Sequence, residues 1–232
     1  MVILLKPEYE IGRRVADDPL VWVIDDFVSD VEREHIIELG APQMTEAKVS
    51  RLGHNATSEK RTGSVGWVKH NQTPIVRGLV KRVGDLVGLP TTHAESLQVV
   101  HYGEKQQYEP HFDAWDMTTA KGREKTSRGG NRLVTALMYL NEVPAGGATG
   151  FPELDVEVEA VPGRLCLFHN LVPGVSDRHA HSLHGGLPVE AGEKWACNLW
   201  FREHRYQSGT GAPVTKRTTP QPKRAQKRKK RR

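Results

Sequence analysis

Four side-chain positions define the chemistry open to this chain: His111 and Asp113 two residues apart, a histidine much later, and Lys194 beyond it. Two imidazoles and one carboxylate on one face of a metal leave the opposite positions open, the arrangement of non-haem Fe(II) sites that bind a co-substrate and dioxygen. In an extended strand residues i and i+2 project to the same side, so His111-Phe112-Asp113 can grip one ion, and the third ligand must come from a distant strand. The run Asp177-Arg178-His179-Ala180-His181-Ser182-Leu183-His184 offers His179, His181 and His184 for that place, and spacing does not choose among them. His93-Ala94-Glu95 is a rival first pair. Lys194 enters an apolar strand at Gly192-Glu193-Lys194-Trp195; an ammonium inside a barrel needs an anion, which a co-substrate carboxylate would supply, whereas one at a strand end would simply reach solvent.

The elements that must hold these groups are legible from pattern. Ser29-Asp30-Val31-Glu32 is a capping box opening a helix with apolar positions Val31, Ile36 and Leu39 and Gly40 as its stop. Thr73 and Pro74 open a second helix, whose stripe Ile75, Val76, Leu79, Val80, Val83, Leu86 and Val87 ends at Gly88. From Ser96 the chain breaks into short apolar or alternating runs: Leu97 to Tyr102, Leu133 to Leu140, Val156 to Val161, Leu165 to Phe168 and Trp195 to Phe201. Many short strands predict a mainly β, α+β fold: a double-stranded β-helix, or cupin-like jelly roll, with the N-terminal helices buttressing one outer face. The polar stretch between Ala114 and Arg132 is long for a connection and begins directly after a proposed ligand, so it is expected to be a lid over the site.

Composition sets the outer limits. With 232 residues the chain suits one domain with a sizeable core. The expected division is an N-terminal extension over 1–20, a catalytic domain over 21–206 and a disordered basic tail over 207–232. Ten of the 33 Lys and Arg lie in 212–232 with no acid, leaving 23 basic against 28 acidic residues elsewhere. The body is therefore mildly acidic and the tail strongly basic, which fits attachment to nucleic acid, recognition by an import receptor, or a solubilising end. Val2 to Leu5 is too short for a secretory apolar region and no run is long enough to cross a bilayer, so a cytoplasmic or nuclear protein without a membrane partner is expected. Cys166 and Cys197 sit in apolar runs and read as core residues.

The order of motifs resembles the prolyl 4-hydroxylase family of Fe(II)/2-oxoglutarate-dependent dioxygenases, from about Val21 to Phe201. The matching pieces are Val23 to Ser29, Arg61-Thr62, Glu95 to Tyr102, Tyr108 to Asp113, Thr135 to Asn141, Gly146 to Thr149, His184 to Val189 and Lys194-Trp195-Ala196. The resemblance implies His184 as the third ligand, followed as it is by Pro-Val and then by Gly-x-Lys. It also implies that Lys194 and Thr149 hold the far carboxylate of 2-oxoglutarate, with Tyr102 donating a hydrogen bond and Trp200 closing the pocket. Arg61, Glu95, Tyr108 and Arg132 match positions that face the peptide. Asp113 implies hydroxylation, since halogenating relatives need a small residue there. Two departures fall on the substrate side: Gly63 where the family usually has Ser, and Arg202 where a His is frequent.

The activity implied is hydroxylation of prolyl residues in a proline-containing peptide or protein, with 2-oxoglutarate and O2 consumed, succinate and CO2 released, and ascorbate as reductant. A proline-rich segment would enter preformed as polyproline II. Two alternatives stand beside it: an oxygenase acting on nucleic acid or another non-prolyl substrate, and a metal-binding jelly roll without catalysis. The first finds no evident aromatic-and-basic surface in the body, and the second leaves the co-substrate residues without a use.

Overall fold

The computed structural model describes residues 12–46 and 62–207, with the backbone alone of 48–51 and 54–57. The first half contains β1 (Arg13–Asp17), β2 (Leu20–Ile24), α1 (Asp30–Gly40), β3 (Thr45–Glu46), β4 (Lys48–Arg51), β5 (His54–Thr57), β6 (Ser64–Val68) and α2 (Pro74–Val87). Next come β7 (Leu97–Tyr102), β8 (Tyr108–His111), α3 (Ala120–Thr126), β9 (Arg132–Tyr139), β10 (Ala145–Gly146), β11 (Thr149–Phe151) and β12 (Val156–Val158). The chain finishes with β13 (Leu165–His169), β14 (His184–Gly186), β15 (Val189–Ala191) and β16 (Lys194–Arg202). The expectations placed on Arg61 and on the basic tail fall on residues outside those described, apart from Gln207.

Alternation along the strands decides the architecture. An eight-stranded antiparallel sheet runs in the order β1-β2-β13-β9-β16-β7-β6-β3, and a four-stranded one in the order β12-β11-β14-β8. On one face of the large sheet Val99, Ala136, Met138, Leu167, Cys197, Leu199 and Phe201 join the helices in one apolar cluster. On the other, Val100, Leu137, Tyr139, Cys166, Phe168 and Ala196 meet Phe151 and Val158 of the small sheet. Successive side chains thus serve two cores, and the space between the sheets is a jelly-roll interior. Both cysteines are buried and free, as core residues should be.

Both helices pack against the large sheet as expected. Ser29 and Glu32 form the reciprocal capping box of α1, and Thr73 accepts from the Val76 N–H to cap α2, which ends at Gly88 with φ 69°. Val76, Leu79, Val80, Val83, Leu86 and Val87 are all buried, each contributing about 1.5–3 kcal/mol of transfer free energy. Arg82 joins the helices by donating to both oxygens of Glu32 at 2.8 and 3.0 Å and to the Phe27 carbonyl.

The structure departs from the sequence expectation in several places. Val31 is 64% exposed; five residues of helix place it about 140° round from Ile36, off the buried stripe. Gly40 is the last helical residue rather than a stop, and the chain continues into a 3-10 turn at Ala41–Gln43. Residues 13–17, expected in an N-terminal extension, pair with β2 as the edge of the large sheet. The strand expected to Val161 stops at Val158, where the chain turns toward Pro162 and Gly163. The stretch between Ala114 and Arg132 is not all loop: Thr119 caps the seven-residue α3 by accepting from the Gly122 N–H at 2.9 Å. No helix among the described residues is long and apolar enough to cross a membrane.

Candidate metal centre and its pocket

The small sheet brings the ligands together. β14 pairs antiparallel with β8 so that His184 lies opposite His111, and Asp113 follows β8 by two residues. One ligand atom from each of His111, Asp113 and His184 lies within 4.8 Å of the others, close enough for one first-row ion to reach all three. The Nε2 atoms of His111 and His184 stand 3.9 and 3.5 Å from the two carboxylate oxygens of Asp113. The rival histidines are elsewhere: His179 meets Asp18 at 3.0 Å and takes the His181 backbone N–H on its other nitrogen, and His93 meets the Arg202 carbonyl.

Hydrogen bonding fixes the donor atoms. Nδ1 of His111 lies 3.0 Å from the Glu109 carbonyl, and Nδ1 of His184 2.9 Å from the Ser182 carbonyl. A carbonyl only accepts, so in each ring Nδ1 carries the proton and Nε2 presents the lone pair that a metal would take. Tyr108 stacks on His111 at 3.7 Å, and Phe168 lies 4.5 Å from His184, restraining both rings. Burial would raise the pKa of Asp113, but Arg132 and the rings of His184 and His111 in their protonated, metal-free form outweigh it and hold the carboxyl at about 2. It is therefore an anion at neutral pH. Its Oδ2 accepts from Thr135 at 2.7 Å, and the Thr135 oxygen accepts from Asn170 at 2.8 Å. The buried Trp200 indole N–H also faces this carboxylate, without a hydrogen bond of good geometry. A donor set of two neutral imidazoles and one oriented carboxylate fits a ferrous ion.

Beside the ligands lies a cavity of about 730 Å³, within the range of small-molecule sites. Tyr102, Thr149 and Lys194 line it. Lys194 is directly opposite Tyr102 in the β7–β16 ladder and almost fully buried. Its ammonium donates to the Gly147 carbonyl and lies 5.3 Å from the Tyr139 ring, and no carboxylate among the described residues ion-pairs with it. Burial pulls its pKa down to about 8. The Thr149 hydroxyl lies 2.8 Å from the Tyr139 hydroxyl, which also reaches the Val158 carbonyl at 3.2 Å.

The residues matched to the substrate side divide differently. Glu95 is buried with both oxygens engaged: Arg132 donates at 2.8 and 3.0 Å and Arg202 at 2.8 Å. Arg132 is packed over the rings of Trp200 and Trp115, at 3.5 and 4.6 Å. Trp200 thus sits beside Asp113 and Arg132, three alternate steps along β16 from Lys194. Arg202 also donates to the carbonyls of Lys125 and Gly130, fastening the segment that contains α3 to the barrel. A Cβ at Gly63 would meet the Tyr102 ring at 2.5 Å, so the absence of Ser there follows from the packing of Tyr102. Thr135 and Tyr139, which lie in the matching piece Thr135 to Asn141 but were given no role there, support the site together with Asn170. The polar Thr135 and the inward-facing Tyr139, alternating in a buried strand, were the available signal.

A jelly roll carrying two histidines, an aspartate and an isolated buried lysine in one cavity has the features of a 2-oxoglutarate-dependent dioxygenase. The family described as the 2OG-Fe(II) oxygenase superfamily matches residues 97–202. Prolyl 4-hydroxylase 5 of Arabidopsis thaliana is 33% identical, over 83% of this chain and 72% of the relative. The prolyl 4-hydroxylase subunit alpha-1 of Gallus gallus is 35% identical over 85% of this chain, which spans 39% of that larger protein. The crystal structure of the viral collagen prolyl hydroxylase from Paramecium Bursaria Chlorella virus-1, in its 2OG complex, superposes with a TM-score of 0.61. It covers 80% of this chain and 97% of its own, at 24% identity. The chain belongs to the prolyl 4-hydroxylase family of Fe(II)/2-oxoglutarate-dependent dioxygenases.

Proposed function

We propose that His111, Asp113 and His184 hold Fe(II), that Lys194 and Thr149 take the far carboxylate of 2-oxoglutarate with Tyr102 as a further donor, and that the chain hydroxylates prolyl residues of a peptide or protein. The observation that carries this reading is the cavity itself, with an oriented ligand triad on its wall and a buried ammonium that has no acidic partner among the described residues. Iron, when bound, supplies the coupled chemistry: 2-oxoglutarate and O2 become succinate and CO2 while one oxygen atom enters a substrate C–H bond. Ascorbate is the proposed reductant that keeps the metal ferrous.

The protein's own part is binding, orientation and exclusion of water. Thr135 and the two backbone carbonyls aim the ligands before the metal arrives, which lowers the reorganisation that binding requires. Lys194 gains the anion its burial leaves it without, and the Thr149 hydroxyl adds a donor. Tyr102, Leu137 and Ala196 line the cavity with largely apolar surface, which strengthens that charge pairing by keeping water out. Trp200 and Arg132 border the metal where a substrate would pass. The test is incubation with Fe(II), ascorbate, 2-oxoglutarate and a panel of proline-containing peptides, read as a mass gain of one oxygen atom. Asp113→Ala is expected to abolish 2-oxoglutarate-dependent succinate formation; normal turnover in that variant overturns the ligand assignment, and oxidation confined to nucleic acid overturns the prolyl substrate.

A further inference from the structure

The mouth of the cavity carries a charge that the chemistry above does not use. Deeper in, Arg132 and Arg202 share Glu95, Arg132 also faces Asp113 at 3.8 Å, and Lys194 is assigned to the co-substrate. Among the described residues, the remaining charged lining consists of Lys121, Lys125 and Arg128 around α3 and Arg178 from the loop before β14, together with Asp116. Asp116 accepts from the Thr118 hydroxyl at 2.6 Å and the Thr118 N–H at 2.9 Å, both on one oxygen, and its charge also acts on Arg178, so the set as a whole stays basic. Among the described residues, Trp67 and Gln98 also line the cavity and carry no charge.

Arg178 is the fixed member of this set. Its guanidinium carbon lies 3.9 Å from the centroid of Phe112, the residue between two of the iron ligands. Stacking on the ring restrains the planar fork close to the reaction centre, so an incoming carboxylate meets a donor whose freedom is already reduced. The lysines and Arg128 lie on a single flank, where they add attraction at longer range. A nucleic-acid strand needs a continuous basic track, and a body with more acidic than basic residues outside its tail does not provide one.

The geometry points to a substrate peptide with an acidic side chain close to the target proline, its carboxylate received by Arg178 and steered by Lys121, Lys125 and Arg128. This rests on the prolyl-hydroxylase reading and narrows it to a substrate class. The experiment compares peptides identical except for Glu, Gln or Lys placed in turn at each position flanking one proline, with kcat/KM measured from hydroxylated product at low and high NaCl. At the best position the Glu peptide should exceed the Lys peptide by about tenfold or more, with the gap closing as salt rises. Arg178→Gln should reduce that ratio to within about threefold, and Lys121→Gln with Lys125→Gln should reduce it by a smaller factor. Ratios are compared, so a general loss of activity in a variant does not affect the result. Equal hydroxylation of all three peptides overturns this inference and leaves the prolyl reading intact. A Glu preference that survives in both variants overturns the assignment to this flank. Failure to hydroxylate any proline peptide, or preference for a nucleic acid, overturns both readings.

Discussion

Lys194 and Arg202 stand at opposite ends of one strand, both buried and both on the lining of the cavity, yet their electrostatic states are opposite. Arg202 shares Glu95 with Arg132 and donates to two backbone carbonyls. Lys194 has one carbonyl, an aromatic ring and, among the described residues, no carboxylate. A buried cation with its anion built in is part of the scaffold; one without it marks the place of a ligand. Residues of similar burial and charge therefore do different work, and the partner list separates them where residue type does not.

The largest expected effect breaks the scaffold end. Glu95→Gln leaves two buried guanidinium groups without their counter-charge, and should cost about 3–5 kcal/mol of stability, read as a shift in the denaturant midpoint. Its effect on 2-oxoglutarate affinity should be small. Lys194→Met is the converse: it keeps the aliphatic stem and should weaken 2-oxoglutarate binding by about 2–5 kcal/mol, measured by calorimetry, without lowering the denaturant midpoint. If Glu95→Gln weakens the co-substrate as strongly as Lys194→Met, the division between the two ends is wrong.

Smaller effects sharpen the contrast. Thr135→Val removes the hydroxyl that donates to Asp113, and iron affinity should fall about 10- to 100-fold, followed by metal titration. The pH response of Lys194 has a definite sign. Burial lowers its folded-state pKa from 10.5 to about 8, so the unfolded chain binds the extra proton between those values and stability rises with pH through that window. Co-substrate affinity moves the other way, since it needs the protonated amine: above pH 8 it should fall by up to about tenfold per unit. Lys194→Arg should flatten that profile, because a guanidinium does not deprotonate there.

Much of this was legible in the sequence because it follows from local rules. Thr73, Pro74 and Gly88 bound α2 as their types demand, and Leu97–Tyr102 is a strand over the whole of the expected run. His111 and Asp113 declare themselves by spacing. The third ligand does not, because a choice among His179, His181 and His184 depends on which one falls opposite β8, a long-range fact that only the family likeness supplied. The short polar α3 has no stripe to reveal it, and β1 is an edge strand with little buried surface. The Glu95–Arg132–Arg202 cluster gathers three separate segments, so no window of sequence contains it.

The pairing of His184 with His111 carries a consequence for assembly. β14 is three residues long, and Gly185 lies so near β8 that a Cβ would come within 2.9 Å of the Tyr108 carbonyl. Sliding one strand past the other by a single position would turn the imidazole outward and break up the triad. Chelation in this arrangement would act as a rivet through two neighbouring ribbons of backbone, making iron uptake a proofreading step that only correctly threaded molecules pass.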